Sequence, residues 1–142
     1  MTPSHDTDRQ QPLAVFDFGK TNAKLFVFDA ELHLLCEERI APVWNEGRLG
    51  DAPCRTLDAD ALWRWMNEAL TRALAKWPIG GVMISTHGCA AALIGGGELL
   101  HPILDYESEP PAAVRAAYDA QAPAFDETLS PHLPGGLNLA RQ

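Results

Sequence analysis

Near its start the chain carries polar residues whose types and spacing suit phosphate chemistry. They interrupt an apolar stretch and are Asp17, Gly19, Lys20, Thr21, Asn22 and Lys24. A glycine in a turn lets the backbone approach a ligand, and successive turn N–H groups form a concavity that binds anions. Hydroxyl, amide and ammonium groups add donors for phosphate oxygens, and a carboxylate can hold hydrated Mg²⁺. The spacing therefore predicts a phosphate cradle in which Asp17 positions Mg²⁺, as phosphoryl transfer requires.

Two other interpretations of this stretch compete with the phosphate cradle. The first is a P-loop, because Gly19-Lys20-Thr21 resembles the end of the GxxxxGK[ST] pattern. That pattern requires a glycine where this chain has Ala14 and a helix after Thr21, whereas residues 23–28 alternate as a strand does. The P-loop is therefore rejected. The second interpretation, a hairpin whose polar residues serve only the geometry of the turn, stays open.

The hydrophobic pattern predicts the elements that position these residues. Residues 13–18 and 23–28 form two predicted strands joined by the turn at 19–22, and residues 33–43 form a third strand, which together make a three-stranded meander. Residues 44–57 contain Gly, Pro and Asn without periodicity, so a loop is predicted there.

A helix is predicted over residues 61–77, capped by Asp58 or Asp60 and ended by Pro78. Its predicted core stripe has helical spacing and comprises Leu62, Met66, Ala69, Leu70, Ala73, Leu74 and Trp77. Trp63, Trp65 and Trp77 are predicted packing residues, whereas Trp44 is kept as the one tryptophan that could serve as a sugar platform.

Further strands and a second helix complete the predicted α/β order. Residues 82–86 are predicted as a buried strand, Gly88 as a bend, and residues 91–94 as the next strand. The turn at 95–98 leads into LLHPILDY, and residues 110–121 are predicted as a helix that begins with prolines. The resulting order is β-β-β-α-β-β-α.

Composition and net charge limit the size of the core and the classes of partner that this chain can have. The 142 residues are 46% apolar, which is enough for one modest core, and the net charge of −8 argues against nucleic acid or an anionic membrane as partner. Residues 1–12 are polar and are predicted to be a disordered leader without the apolar region of a signal peptide. Three cysteines without a CxxC pair indicate reduced thiols and a cytoplasmic location. His5, His33, His101 and His132 show no metal-ligand spacing.

The segment VFDFGKTNAKLFVFD resembles the first phosphate motif of the superfamily of sugar kinases, Hsp70 and actin. Four segments together resemble the N-terminal part of FGGY carbohydrate kinases: this one, ADALWRWMNEAL, IGGVMISTHGCAAALIGGGELLHPILDYE and HLPGGLNLARQ. The resemblance covers residues 13–142 and implies an incomplete ribonuclease-H-like (actin-like ATPase) domain. It also implies ATP and Mg²⁺ as cofactors. One departure is Lys20, where many members carry a small residue or threonine, so Lys20 either contacts phosphate or points to solvent.

The resemblance also implies the residues of a sugar pocket. His87 and Gly88 follow a predicted strand, at the edge where open α/β sheets place ligands. His87 is expected to hydrogen-bond a sugar hydroxyl, and Gly88 is expected to allow close approach of the sugar. The alternative is that nearby backbone groups make the hydrogen bonds of the His87 side chain, which then has a structural role only. Tyr106 and Glu107 follow PILD, where relatives often carry an aromatic or acidic residue that faces the sugar. Asp105 cannot be ranked against Glu107 from the sequence.

The activity implied by the resemblance is ATP-dependent phosphorylation of a ketose or polyol hydroxyl, with sugar and ATP as partners and a homodimer left open. The general base and the adenosine-binding domain are expected beyond Gln142, so no catalytic residue is assigned to this chain, which is expected to be inactive alone. Asp105 and Asp126 are not convincing bases. Two alternatives remain: an actin- or Hsp70-like nucleotide switch, and a non-catalytic remnant that binds sugar.

Overall fold

The computed structural model describes residues 11–129, and these divide into two compact units. Unit 1 contains residues up to Val43 together with Ala59–His87, and unit 2 contains Trp44–Asp58 and the residues from Gly88 onward. The predicted leader lies outside the described residues except for Gln11 and Pro12, and the segment HLPGGLNLARQ also lies outside them. None of the helices within residues 11–129 is long and apolar enough to span a membrane.

Within residues 11–129, five strands precede the first helix, three strands follow it, and two helices come last. The strands are β1 (Leu13–Phe18), β2 (Ala23–Phe28), β3 (Leu34–Ile40), β4 (Trp44–Leu49), β5 (Ala52–Leu57), β6 (Gly81–Thr86), β7 (Ile94–Gly95) and β8 (Glu98–Leu99). The helices are α1 (Ala59–Leu74), α2 (Ala112–Gln121) and α3 (Phe125–Thr128). The predicted helices thus correspond to α1 and α2, and Pro111 directly precedes the second.

Unit 1 is a four-stranded sheet in the order β3-β2-β1-β6. The pairs β1–β2 and β2–β3 are antiparallel, which confirms the predicted meander, and β6 joins β1 in parallel. Because β1 and β6 are parallel, their carboxyl ends lie at the same edge of the sheet, with Phe18 paired to Thr86. That edge is where the polar turn after β1 lies.

The core of unit 1 forms between one face of the sheet and α1. Alternate strand residues are fully buried, as period-2 patterning requires: Ala14, Phe16, Ala23, Leu25 and Val27. Trp65, Ala69 and Ala73 of α1 pack against them. The ring of Trp65 meets the ring of Phe16 edge to face at 6.0 Å. Side chains at odd positions of β1 and even positions of β2 therefore project from the face away from α1.

Three burial predictions in unit 1 were wrong. Leu74 was placed in the core stripe and Trp63 among the packing residues, yet they are 52% and 61% exposed. The buried stripe runs through Trp65, Ala69 and Ala73, which turns Trp63 outward. The strand over 82–86 was predicted to be buried, but most of β6 is exposed, because the α1 core covers β1 and β2 rather than β6.

Unit 2 is built on a hairpin where the sequence analysis predicted a loop. The strands β4 and β5 pair from Trp44–Leu57 to Leu49–Ala52, and Gly50 lies in the connecting turn with a φ of 60°. Polar residues on both faces and Pro53 hide the alternation of these strands, which is why the loop prediction was wrong. Farther along the chain, β7 and β8 pair around Gly96 and Gly97, both in the left-handed region, so the turn predicted at 95–98 is present.

Candidate functional site

The polar turn between β1 and β2 is short and closed by the backbone. The N–H of Gly19 donates to the carbonyl oxygen of Asn22 at 2.9 Å. A Cβ on Gly19 would lie 3.1 Å from that oxygen, closer than ordinary van der Waals contact, so the turn favours glycine here. Thr21, at the tip, is exposed. Because a strand and not a helix follows Thr21, the P-loop interpretation is excluded structurally as well.

Asp17 and Lys24 are cross-strand partners at the root of this turn. Both are half-buried and project from the sheet face away from α1. Among residues 11–129 no hydrogen bond or ion pair involves the Asp17 carboxylate, and the Lys24 ammonium lies 5.7 Å from the centre of the Phe26 ring. Neither charge is therefore part of an ion pair within the described residues.

Lys20 is the residue at which this chain departs from the sequence motif that it resembles. Its Nζ atom is buried, so the interpretation in which Lys20 simply points to solvent was wrong. The other interpretation, contact with phosphate, stays a prediction.

His87 directly follows β6 in unit 1. Its N–H donates to the carbonyl oxygen of Phe18 at 3.3 Å, and its Nδ1 atom is buried. The backbone of His87 is thus held beside the start of the polar turn, at the common carboxyl edge of β1 and β6. Unit 1 therefore brings together the predicted phosphate residues and the backbone of one predicted sugar residue.

Gly88, Tyr106 and Glu107, the remaining predicted sugar residues, belong to unit 2. A Cβ on Gly88 would meet no atom within 4 Å, and its φ is not in the left-handed region. Packing within the described residues therefore does not require glycine at this position. Its predicted role, close approach of a sugar, stays a prediction.

The PILDYE segment forms a turn against β5. The Leu57 N–H donates to Ile103 at 2.9 Å and the Asp105 N–H donates to Arg55 at 2.8 Å, both to carbonyl oxygens. Asp105 is 1% exposed, Tyr106 is half-buried and Glu107 is exposed. The structure thus separates two acids that the sequence could not rank, because Asp105 is buried within the turn and Glu107 reaches solvent.

Sequence reasoning missed Arg55, because it fell in the predicted loop. Its guanidinium forms an ion pair with the Asp105 carboxylate, and its Cζ atom lies 5.7 Å from the centre of the Trp44 ring. The ring of Trp44, the tryptophan kept as a sugar platform, therefore has a cation over it. Alternation of apolar and polar residues in β4 and β5 was the signal that could have located Arg55, but polar residues on both faces of these strands obscure it.

A further group with metal-ligating atoms lies in the turn between β2 and β3. One ligand atom from each of Asp29, Glu31 and His33 lies within 4.8 Å of the others. The N–H groups of His33 and Glu31 donate to the Asp29 carboxylate at 2.8 and 3.0 Å. The His33 backbone N–H is the main cause that lowers the pKa of Asp29 below its usual 3.8. Turn formation accounts for this group.

Comparison with solved structures places the fold among carbohydrate kinases. A carbohydrate kinase from Novosphingobium aromaticivorans matches 93% of this chain with a TM-score of 0.76 and 33% identity. A xylulose kinase from Lactobacillus acidophilus matches 77% with a TM-score of 0.61 and 13% identity. A glycerol kinase from Plasmodium falciparum, solved with ADP, matches 82% with a TM-score of 0.59 and 15% identity.

These matches cover a limited part of the solved kinases. The chain spans 27%, 22% and 24% of their respective lengths, about a quarter in each case. Neither a protein-family model nor a curated protein sequence matches this chain. The described units thus form a mixed α/β structure that resembles a segment of carbohydrate kinases.

Proposed function

We propose that residues 13–142 are the N-terminal portion of an FGGY carbohydrate kinase, with a ribonuclease-H-like (actin-like ATPase) fold. The intact enzyme transfers the γ-phosphoryl group of ATP to a hydroxyl of a ketose or polyol. The observation that carries the proposal is the β1–β2 hairpin. It places Asp17 and Lys24 opposite each other beside a tight glycine turn, and no ion pair within the described residues uses either charge.

In the proposed phosphate site, the side chains of Lys20, Thr21, Asn22 and Lys24 bind phosphate oxygens of ATP. Gly19, whose N–H closes the turn by donating to Asn22, lets the phosphate approach the turn closely because it has no side chain. Cations and N–H donors stabilise the charge that spreads over the transferring phosphoryl group. Magnesium, when bound, neutralises part of that charge. Asp17 fits this ion through water, because its carboxylate is half-buried and has no protein partner within residues 11–129.

The proposed sugar contacts are His87, which donates to or accepts from a sugar hydroxyl, Gly88, which lets the ring approach, and the side chains of Tyr106 and Glu107. Support comes from unit 1, where the His87 backbone is hydrogen-bonded to Phe18 at 3.3 Å. That contact holds His87 beside the proposed phosphate turn, and phosphoryl transfer requires acceptor and phosphate to be positioned together.

We assign no catalytic base to this chain. Asp105 is buried and paired with Arg55, so its charge is already committed within unit 2. The isolated chain is therefore expected to phosphorylate no sugar. The proposal includes ATP and Mg²⁺ as cofactors and the cytoplasm as location, and it leaves a homodimer open.

The deciding experiment measures ADP release by the intact kinase with a panel of ketoses and polyols, with water alone as control acceptor. Sugar-stimulated release supports the proposal. Nucleotide turnover that no sugar changes would instead favour an actin- or Hsp70-like switch. The isolated 142-residue chain serves as the matched control, and sugar-dependent ADP release by it would contradict the assignment of the base elsewhere.

A further inference from the structure

Asp105 is a buried carboxylate whose polar groups are all engaged within unit 2. It is 1% exposed. One carboxylate oxygen accepts the Glu107 N–H at 3.0 Å and the other accepts the Arg55 guanidinium. Its N–H donates to the Arg55 carbonyl oxygen at 2.8 Å, and its own carbonyl accepts the Ser108 N–H at 3.0 Å. Burial of a carboxylate is costly unless it is paired in this way.

Asp105 anchors the turn at 105–108 at its first residue, and Arg55 is the second residue that anchors this turn. Besides the ion pair and its carbonyl contact, its N–H donates to the Ser108 hydroxyl oxygen at 3.0 Å. Its position on β5 is fixed by pairing with Glu46 across the hairpin. Arg55 thus holds residues 105 and 108, the two ends of the turn, against a regular strand.

Tyr106 and Glu107 are the two residues between these anchored ends. The Glu107 N–H is bonded to Asp105, whereas the Glu107 side chain is exposed and Tyr106 is half-buried. The anchors therefore fix the backbone of Tyr106 and Glu107 and leave the Glu107 side chain directed to solvent. A buried ion pair adds little net stability compared with apolar packing, so fixed geometry is the clearer consequence of this arrangement.

We propose that Arg55 and Asp105 are positioning residues, which hold Tyr106 and Glu107 in a preformed turn for contact with the sugar. This inference rests on the proposed function, because it takes Tyr106 and Glu107 as sugar contacts. Preforming a binding turn avoids the ordering cost at the moment of binding. If the turn were competent only about a tenth of the time, the apparent affinity would fall about tenfold.

Fluorine NMR of the 142-residue chain labelled with 3-fluorotyrosine tests the proposal directly. The chain has two tyrosines, Tyr106 in the turn and Tyr118 on α2, so each spectrum contains a reporter and an internal control. The probes are D-xylulose, D-gluconate and glycerol, each titrated into the wild-type chain. A shift of the Tyr106 signal alone with at least one probe is expected.

The decisive variant is Asp105→Asn, which keeps an acceptor for the Glu107 N–H but turns an amide donor toward the Arg55 guanidinium. The Tyr106 signal is expected to shift or broaden without sugar, the Tyr118 signal to stay, and the sugar dissociation constant to rise about tenfold. Arg55→Lys, which keeps the charge but loses the forked donors, is expected to lie between Asp105→Asn and wild type. Arg115→Gln removes an exposed ion pair with Glu109 in the same unit and should leave both signals unchanged.

The outcomes separate this inference from the function on which it rests. If no probe shifts Tyr106 in the wild-type chain, the sugar role of Tyr106 fails, and the positioning role fails with it. If sugar binds wild type and Asp105→Asn equally well, the proposed function stands and the positioning role is overturned. If the Tyr118 signal shifts as much as the Tyr106 signal in both variants, the Arg55–Asp105 ion pair stabilises unit 2 as a whole and not the turn in particular. That result also overturns the positioning role.

Discussion

The turn at 19–22 and the turn at 105–108 present polar residues in two different ways. The first is closed by a single backbone hydrogen bond between paired strands, and the charges at its root take part in no ion pair within the described residues. The second is anchored by a buried carboxylate and its arginine. The backbone closure of the first turn leaves the charges of Asp17 and Lys24 outside any ion pair of the described residues, whereas the second turn commits the charges of Arg55 and Asp105 to structure.

This difference predicts how each region responds to mutation. Removing a charge near the first turn should damage chemistry and leave folding almost unchanged. Removing a charge at the second should disturb local structure first and sugar binding as a consequence.

Removal of the charges at the root of the first turn should give the largest effect. In the proposed intact kinase, Asp17→Asn and Lys24→Met are each expected to lower turnover about 10²–10³-fold, roughly 3–4 kcal/mol of barrier, because the proposed electrostatic contacts to the phosphoryl group are lost. The free energy of unfolding should change by no more than about 0.5 kcal/mol. Turnover and ligand-free melting are measured together. Glu37→Gln, an exposed carboxylate on β3 of the same sheet, is the control and should change neither. Normal turnover in both variants would mean that the polar residues of the hairpin serve only the geometry of the turn.

Removal of the anchor of the second turn should destabilise unit 2. Arg55→Ala leaves Asp105 buried without its cation, which is expected to cost about 3 kcal/mol, the low end for such a change because the Arg55 side chain is 39% exposed. Amide hydrogen exchange should rise at Glu107 and Ser108 and stay constant in β1 and β2. Arg115→Ala, in an exposed pair, should cost less than about 1 kcal/mol. Equal exchange in wild type and Arg55→Ala would show that the ion pair does not anchor the turn.

Two glycines offer a smaller and matched test. Gly19→Ala places a Cβ 3.1 Å from the Asn22 carbonyl oxygen and is expected to destabilise unit 1 by about 1 kcal/mol. Gly88→Ala meets no atom within 4 Å, so its free energy of unfolding should stay within about 0.5 kcal/mol of wild type. Urea unfolding measures both. A larger loss in Gly88→Ala than in Gly19→Ala would contradict the described geometry of the two turns.

The smallest effect concerns acid stability. The folded-state pKa of Asp29 is lowered, mainly by the backbone N–H of His33, so its stabilising contribution is present above the unfolded value of 3.8 and is lost as pH falls through the lower folded value. Asp29→Asn keeps an acceptor but does not titrate. The difference in melting temperature between wild type and Asp29→Asn should therefore shrink below pH 3.8. A constant difference over that range would contradict the assignment.

The β1–β2 hairpin and α1 could be predicted from the sequence because the residue patterns that indicate them lie within each segment. Alternation in Ala23, Leu25 and Val27 fixes which face of β2 is buried, and the same alternation fixes the direction of Lys24. Two strands and a four-residue turn need no distant partner to be recognised. The assignment of these residues to phosphate binding is a separate step and remains a prediction.

Features that depend on distant contacts could not be predicted in the same way. Arg55 and Asp105 are 50 residues apart in sequence, and nothing in either segment indicates the other. The exposure of β6 was missed for the same reason, since VMIST has the composition of a buried parallel strand and only the placement of α1 decides what is covered. Ranking Asp105 against Glu107 likewise required knowledge of which acid faces an arginine.

Paramagnetic NMR tests directly whether the turn at 19–22 binds phosphate together with a metal ion. Manganese takes the place of magnesium, and Mn²⁺ with ADP is added to the ¹⁵N-labelled chain. We expect ADP-dependent broadening of the amide signals of residues 17–24 and of His87, whose backbone nitrogen lies 3.3 Å from the Phe18 carbonyl oxygen. In Asp17→Asn we expect no such broadening. Broadening centred on Asp29, Glu31 and His33, or broadening at the hairpin that persists in Asp17→Asn, would contradict phosphate and metal binding by this turn.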